Sequence, residues 1–481
     1  MQRRTFLADV GLGFTGLALG AMLYRDGVVR ADEKHTPPNG KPHFAPKAKR
    51  VIWLFFMGGV SHLESFDPKP ALDKYAGKTI DESPFKKAVV ESPFYRKNVM
   101  DFAGTPRALL NKLYPTQIGF KKHGKAGIEV SDWFPHTGAC IDDIAVVRSM
   151  WTTDNDHAAQ LQFHTGRHVF EGFHPTIGSW VHYALGALSD DLPQFAVLGN
   201  PPGDCCGGVG AHGASYLGPE HAGVRLTVDP ANPLPFGTPG NTVTKEGRGK
   251  QLDLLRDLNG IAGVQYPDDP VMRARVKSYE LAAKMQLAVP EVMDTSKETA
   301  ETQKLYGLDN PTTAAYGRMC LVARRMSERG VRFVHVYDGG GGGGGWDAHG
   351  KLKANHSNNA ARVDKPIAGL LTDLKRSGML NDTIVVWATE FGRTPGAENS
   401  DGRDHHPYGF SVWMAGGGIK GGIVHGATDE IGFHAVEDRH YVTDVHATIL
   451  HQLGLDSHKL EVPGHKRLEV DFGQPIKAII G

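Results

Sequence analysis

The stretch "RVIWLFFMGG", residues 50–59, decides the fold. It is a short apolar run with no polar alternation, closed by Gly58 and Gly59. Such a run fits a parallel strand buried on both faces and followed by a tight turn. Five further runs have the same character: "DDIAVVRSM" (142–150), "LPQFAVLG" (192–199), "RGVRFVHVY" (329–337), "DTIVVWATEFGRT" (382–394) and "GFSVWMAGGG" (409–418). Helical apolar spacing lies between and around them, over 156–166, 249–260, 269–288, 312–329, 364–380 and 441–455, with Gly166, Gly378 and Gly454 at three of the ends. Strands alternating with helices predict an α/β fold: a largely parallel central sheet sandwiched by helices, with long loop insertions. Residues 51–481 read as one domain. The Gly- and Pro-rich stretch 200–248 reads as a surface insertion that extends to about residue 310.

The chain has 53 basic and 53 acidic residues, and this balance gives no footprint for nucleic acid. Its 24 histidines matter more, because imidazole is both a metal ligand and an acid/base group. Arg3-Arg4 followed by Thr5-Phe6-Leu7 and a small apolar stretch, Gly11–Leu23, reads as a twin-arginine export signal over residues 1–31, with a Pro- and Lys-rich linker over 32–50. That predicts a periplasmic or secreted protein with no membrane span once the signal is removed. The four cysteines are too few for a disulfide scaffold, and the adjacent Cys205 and Cys206 are poorly disposed to pair, so structural thiols are expected. Nothing in the sequence specifies an oligomeric state.

In open α/β sheets ligands bind beyond the carboxyl ends of the strands, so the polar residues that follow each apolar run are the candidates for chemistry. These are Ser61, His62, Glu64 and Asp67; Asp154, Asn155, Asp156 and His157; Asp338, Asp347 and His349; and Glu390 and Arg393; ahead of the sixth run stand Asp404, His405 and His406. Each group has a plain alternative: Glu390 can pair with Arg393, Asp156 can cap a helix, and Asp347-Ala348-His349 can be an ordinary loop. Five loops delivering carboxylates and imidazoles to one edge point instead to a metal centre. Asp347, His349, Glu390, Asp404, His405 and His406 are the candidate ligands. Such mixed N/O sets suit zinc first, with iron, manganese, magnesium or calcium as alternatives, and one or two ions. Asp347, His349, Glu390 and at least one of His405 and His406 are expected to converge. The seven glycines Gly339–Gly345 read either as a slack linker or as bare backbone at a close approach beside Asp347.

Several segments, in order, resemble an exported bacterial family, domain of unknown function 1501. They include "VIWLFFMGGVSHLESFDPKP", "HTGRH", "GWDAHG", "VVWATEFGRTP", "GRDHHPYGFSVWMAGGGIKGGIVHGATDE" and "VTDVHATILHQLGLD". The resemblance implies the alkaline phosphatase and sulfatase superfamily, hence a hydrolase of phosphate or sulfate esters acting on a small-molecule or carbohydrate substrate. It also implies that Glu390 replaces a ligand acid, with Phe391 where that superfamily has a His, and that Asp347 with His349 is the shortened Asp-x-x-x-His pair. The superfamily's nucleophile stands nine residues before a Thr-Gly pair. Here that position, counted from Thr165-Gly166, is Asp156 rather than Ser, Thr or Cys, with Thr152, Thr153 and His157 nearby. The acid that ends the first strand is also missing, leaving Ser61, His62 or Glu64 to stand in. The expected catalytic set is therefore Asp156 or His157 as nucleophile or general base, with Arg393 clamping the anion. The alternative is a non-catalytic exported binding or scaffold protein that keeps the fold.

Overall fold

The computed structural model describes residues 38–95, 112–229, 231–233, isolated helical positions between 247 and 285, and 288–340, 344–465 and 467–481. The expected export signal, residues 32–37 of the linker and most of the expected helix 269–288 lie outside the described residues. Two units are distinguished. In the small one, the described residues are Pro38 and 461–465, a turn bridged between Val462 and His465. The large one, Asn39–Leu460 with Arg467–Gly481, carries the fold.

A nine-stranded sheet forms its centre. In chain order the strands are β1 (Arg50–Phe56), β2 (Ile144–Trp151), β3 (Phe195–Leu198), β4 (Val224–Leu226), β5 (Phe333–Asp338), β6 (Thr383–Ala388), β7 (Phe410–Ala415), β8 (Ile423–His425) and β9 (His440–Tyr441). Their spatial order is β8-β2-β7-β6-β1-β5-β3-β4, with β9 also paired to β2. Neighbours run parallel except around β7, which is antiparallel to both β2 and β6. All six apolar runs are strands of this sheet.

The central strand shows why its sequence is apolar without alternation. Ile52, Leu54 and Phe56 share a core with Tyr316, Val322, Val363 and Ile367 from helices α3 (Pro311–Glu328) and α4 (Leu352–Arg376). On the opposite face, Trp53 and Phe55 meet Phe163 and His164 of helix α1 (Ala159–Thr165), and Trp53 meets His446 of helix α5 (Val442–Gln452). Helix α2 (Ile177–Leu185) packs against β3 and β5. Both faces of β1 are thus covered, so each of its side chains gains from leaving water.

Three expectations change. The helix placed at 364–380 begins at Leu352, because Leu352, His356, Ala360, Val363, Ile367, Leu370 and Leu374 form one buried stripe. Residues 200–248 are not surface insertion throughout: Val224–Leu226 extends the sheet as β4, and Ala211 is buried. Cys205 and Cys206, expected as free thiols, are joined to each other. They sit in a single turn, Asp204–Cys206, whose exit at Gly207 takes a left-handed φ of 113°, and their Cα atoms are 3.8 Å apart. Among the described residues no helix is long and apolar enough to cross a membrane.

Candidate metal centre

The ends of β1, β5 and β6 are level in register, Phe56 with Asp338 and Phe55 with Ala388. The loops leaving them therefore start from one edge. The glycine run serves this junction. Gly344 lies against the backbone of Met57 and Gly58, and Gly58 lies against that of Trp346 and Asp347, with no room for a Cβ at either position. Both have positive φ, 113° and 115°. Trp346 N–H donates to Met57 O at 3.0 Å. The bare backbone thus packs the Asp347 loop onto the exit of β1. Gly341–Gly343 lie outside the described residues.

Three imidazoles turn inward on Asp347. The ring of His157, just ahead of α1, has Nε2 3.2 Å from Asp347 Oδ2. His349 Nε2 and His405 Nε2 lie 3.1 and 3.2 Å from Asp347 Oδ1, and 3.1 Å from each other. Each ring is held from behind at Nδ1. His349 Nδ1 is 2.5 Å from Glu398 Oε2, His405 Nδ1 donates to Asn155 O at 2.8 Å, and His157 Nδ1 is 3.2 Å from Glu390 Oε1. A neutral ring that donates through Nδ1 presents a bare lone pair at Nε2.

Three such lone pairs around a carboxylate repel unless a positive charge sits among them. With protons in that role, the titrations shift as expected. Burial acts to lower His157, but hydrogen bonds and charge from Asp347 and Glu390 outweigh it and raise the ring to about 9. The hydrogen bond to Asp347 raises His349 against the effect of its burial. Burial works against the Asp347 anion, yet His157, His349, His405 and Arg393 hold it far below the usual carboxylate range.

The residues picked out in the sequence separate on the structure. Asp347, His349 and His405 come together, and Asp156 joins His157 and His405 in a second group whose ligand atoms lie within 4.8 Å of one another. Asp404 joins His349 and Glu398 in a third. Glu390 does not face Asp347. It lies behind His157, fully buried, accepting from Gly58 N–H at 2.8 Å and Gln160 Nε2 at 3.3 Å. His405 and His406 form a two-residue strand paired with Gly392–Arg393, and alternation sends their side chains to opposite faces. His406 therefore points away from the cluster, with Nε2 2.5 Å from Phe433 O. Burial pushes it down to about 3.

Arg393 is fully buried. Its guanidinium donates to Asp347 Oδ1 at 2.7 Å, to Gly59 O at 2.8 Å, to Arg403 O at 2.9 Å and to Gly58 O. These bonds fix Asp347 and occupy the donors that would otherwise clamp an anion. Ser61, His62 and Glu64 are likewise engaged elsewhere. Glu64 forms a buried pair with Arg403 at 2.7 Å and also binds the Ser61 hydroxyl, while His62 Nε2 lies 2.9 Å from Gly432 O. Asp338 is held by Arg362 and Trp346, and Thr152 and Thr153 by Gln162. Glu398 was missed in the sequence: it sits in "PGAENSDGRD", where nothing but its nearness to Asp404 marks it.

Solved structures similar to the chain include the phosphonate monoester hydrolase SpPMH from Silicibacter pomeroyi, 14% identical over 72% of this chain and 71% of that one, with a TM-score of 0.34. The PsFucS1 sulfatase from Pseudoalteromonas sp. is 11% identical over 71% and 65%, TM-score 0.30. The alkaline phosphatase from the Antarctic bacterium TAB5 is 10% identical over 79% and 95%, TM-score 0.24. No curated protein matches. The profile of one family, described as "Protein of unknown function (DUF1501)", matches residues 48–480, and the chain belongs to that family.

Proposed function

We propose that this protein is a metal-dependent hydrolase of phosphate or sulfate esters, exported to the periplasm or beyond it. One observation carries the reading: three imidazoles, each held at Nδ1 from behind, present Nε2 to a single carboxylate. His157, His349, His405 and Asp347 would hold a divalent cation. A nitrogen-rich set of this kind suits zinc, with manganese or iron next and magnesium or calcium less well matched. A cation bound there supplies Lewis-acid polarisation of an anionic ester oxygen. The ester class rests on the order of motifs in the sequence.

The chain's own groups divide the remaining work. Arg393 keeps Asp347 ionised and oriented. Glu398, the Asn155 carbonyl and Glu390 fix the three rings, as groups behind metal ligands do. Asp156 is the candidate for the proton or bond-making step. Its carboxylate stands beside His157 and His405 and is partly exposed. It either takes the proton of a water that attacks the phosphorus or sulfur, or attacks that atom itself, the bond to the ester's alcohol oxygen breaking and the alkoxide leaving in both cases. The test is a turnover screen on aryl phosphate and aryl sulfate esters after loading with zinc or manganese, run beside Asp156→Asn. Turnover by the wild type, with loss of roughly 100-fold or more in the variant at unchanged metal content, is the expected result. A metal-loaded wild type that turns over none of these esters would overturn the hydrolase reading. It would favour a second one, a non-catalytic exported binding protein, which the carboxylate at the expected nucleophile position supports.

A further inference from the structure

A second pair of imidazoles meets on the opposite side of β2 from β7. His425, the last residue of β8, and His440, the first of β9, both flank β2, in register with Val147 and Met150. Their Nε2 atoms face each other at 2.9 Å. His440 Nδ1 is 2.8 Å from Asp444 Oδ2, and Asp444 is itself fixed by Gln474 N–H on its other oxygen at 2.8 Å. His425 Nδ1 is 3.9 Å from Asp438 Oδ2. The two side chains are 14% and 16% exposed, so both are sheltered but reachable from solvent.

One pair of neutral tautomers satisfies the contact between the rings, and it leaves the outer nitrogen of His425 without a proton. His440 donates Nδ1–H to Asp444 and so offers a lone pair at Nε2. His425 can donate Nε2–H to that lone pair, but its bare Nδ1 then faces the Asp438 carboxylate. If it places the proton on Nδ1 instead, two Nε2 lone pairs oppose each other. A cation between the rings takes up both Nε2 lone pairs and turns the Nδ1–H of His425 towards Asp438. Glu437 and Asp438 stand beside the pair and add negative charge.

We propose that His425 and His440 form a peripheral transition-metal site, separate from the Asp347 cluster, that binds a borderline cation such as Zn²⁺, Ni²⁺ or Cu²⁺ through the two Nε2 atoms. Two imidazoles backed by a carboxylate select this class over Mg²⁺ or Ca²⁺. Asp438 is the nearest further ligand. It is 60% exposed and leaves the chain at a left-handed φ of 44°, so its carboxylate projects from a turn rather than from the sheet. The site has a structural consequence. Residues 426–439 form an excursion whose two ends are His425 and His440, and it carries Phe433, whose carbonyl meets His406. A cation there clips the excursion shut at its base.

The test is titration of the metal-stripped full chain with Ni²⁺ and with Zn²⁺ by calorimetry. Wild type is expected to take up one equivalent more than His425→Ala or His440→Ala, each checked for a normal circular dichroism spectrum. Asp444→Asn should keep that equivalent but bind it roughly 10- to 100-fold more weakly. Asp347→Asn should retain the peripheral equivalent, which separates this site from the inner cluster. If the alanine variants fail to fold, the Cu²⁺ resonance of the wild-type protein with the inner site filled by Zn²⁺ is read instead, and two-imidazole coordination is expected. The same stoichiometry and affinity in wild type and in folded His425→Ala and His440→Ala would overturn the proposal. So would a Cu²⁺ signal without nitrogen ligation.

Discussion

Asp347 gathers four cationic or proton-bearing groups, and its neighbours His405 and His406 show how one residue step decides a role. Both histidines are almost fully buried, yet one lies at the carboxylate and the other meets a backbone carbonyl behind a hairpin. His405→Ala is expected to remove a ligand, and bound metal, measured by elemental analysis after dialysis, should fall well below that of wild type. His406→Ala should leave metal content unchanged and destabilise the fold by about 1–3 kcal/mol in chemical denaturation, because the Phe433 carbonyl loses its donor in a dry site. Equal metal loss in both variants would mean that the alternation argument is wrong. Arg393 teaches the same lesson in reverse. An arginine after a strand reads as an anion clamp, but one with no exposed surface and four acceptors in place orients other groups instead.

At the scale of elements, the sheet edge works because loops from different strands can approach at backbone distance. Gly58 and Gly344 are the contact points between the exit of β1 and the loop that carries Asp347. Gly344→Ala would need a Cβ inside the Met57–Gly58 backbone and a side chain at φ 113°. The loop must move to accept it. Destabilisation of more than about 1 kcal/mol is expected, together with weaker metal retention, because Asp347 moves with the loop. Gly77→Ala is the control. Gly77 also has positive φ, but nothing lies within 4 Å of its added Cβ, so its effect should be confined to stability and leave metal content intact. The two-residue ribbon Gly392–Arg393/His405–His406 is the other positioning element, since it presents Arg393 and His405 together to Asp347.

Across the whole molecule, Asp347 raises His157 and His349, whereas burial lowers a set of histidines elsewhere. His446, buried beneath α1 with Nε2 2.7 Å from Phe163 O, is pushed down to about 4, chiefly by desolvation. Burial holds His182, His212 and His434 near 4 and His406 near 3 in the same way. A depressed folded-state pKa stabilises the fold above the unfolded value of about 6.5 and is lost as pH falls towards the folded value. The protein should therefore melt at progressively lower temperature as pH drops from 6.5 to 4. His446 alone accounts for about 3 kcal/mol across that interval. His446→Gln should flatten the slope of melting temperature against pH; an unchanged slope would remove His446 from this account. The proposed export is tested on the full chain. Arg3-Arg4→Lys-Lys is expected to leave the precursor inside the cell, detected by fractionation, because lysine lacks the guanidinium fork.

The six strands and the α/β class were legible in the sequence because burial on both faces demands uninterrupted apolar runs, and "RVIWLFF" is short, rich in β-branched and aromatic residues and closed by glycines. That Asp347 and His349 would lie near the edge reached by the other strand-end loops was also legible, since parallel strands send their following loops to the same side; His405 reaches that edge because it precedes β7, which runs antiparallel. The sequence alone left the ligand shell unsorted. Glu390 behind His157, His406 turned away from the cluster, Arg393 bound to Asp347 and to carbonyls, and Glu398 behind His349 all depend on side-chain direction and on contacts between segments far apart in the chain. Apolar burial is a local demand repeated along a strand, so a sequence carries it openly. Which nitrogen of a ring faces a carboxylate is fixed by packing from several elements at once, and only the tertiary structure decides it.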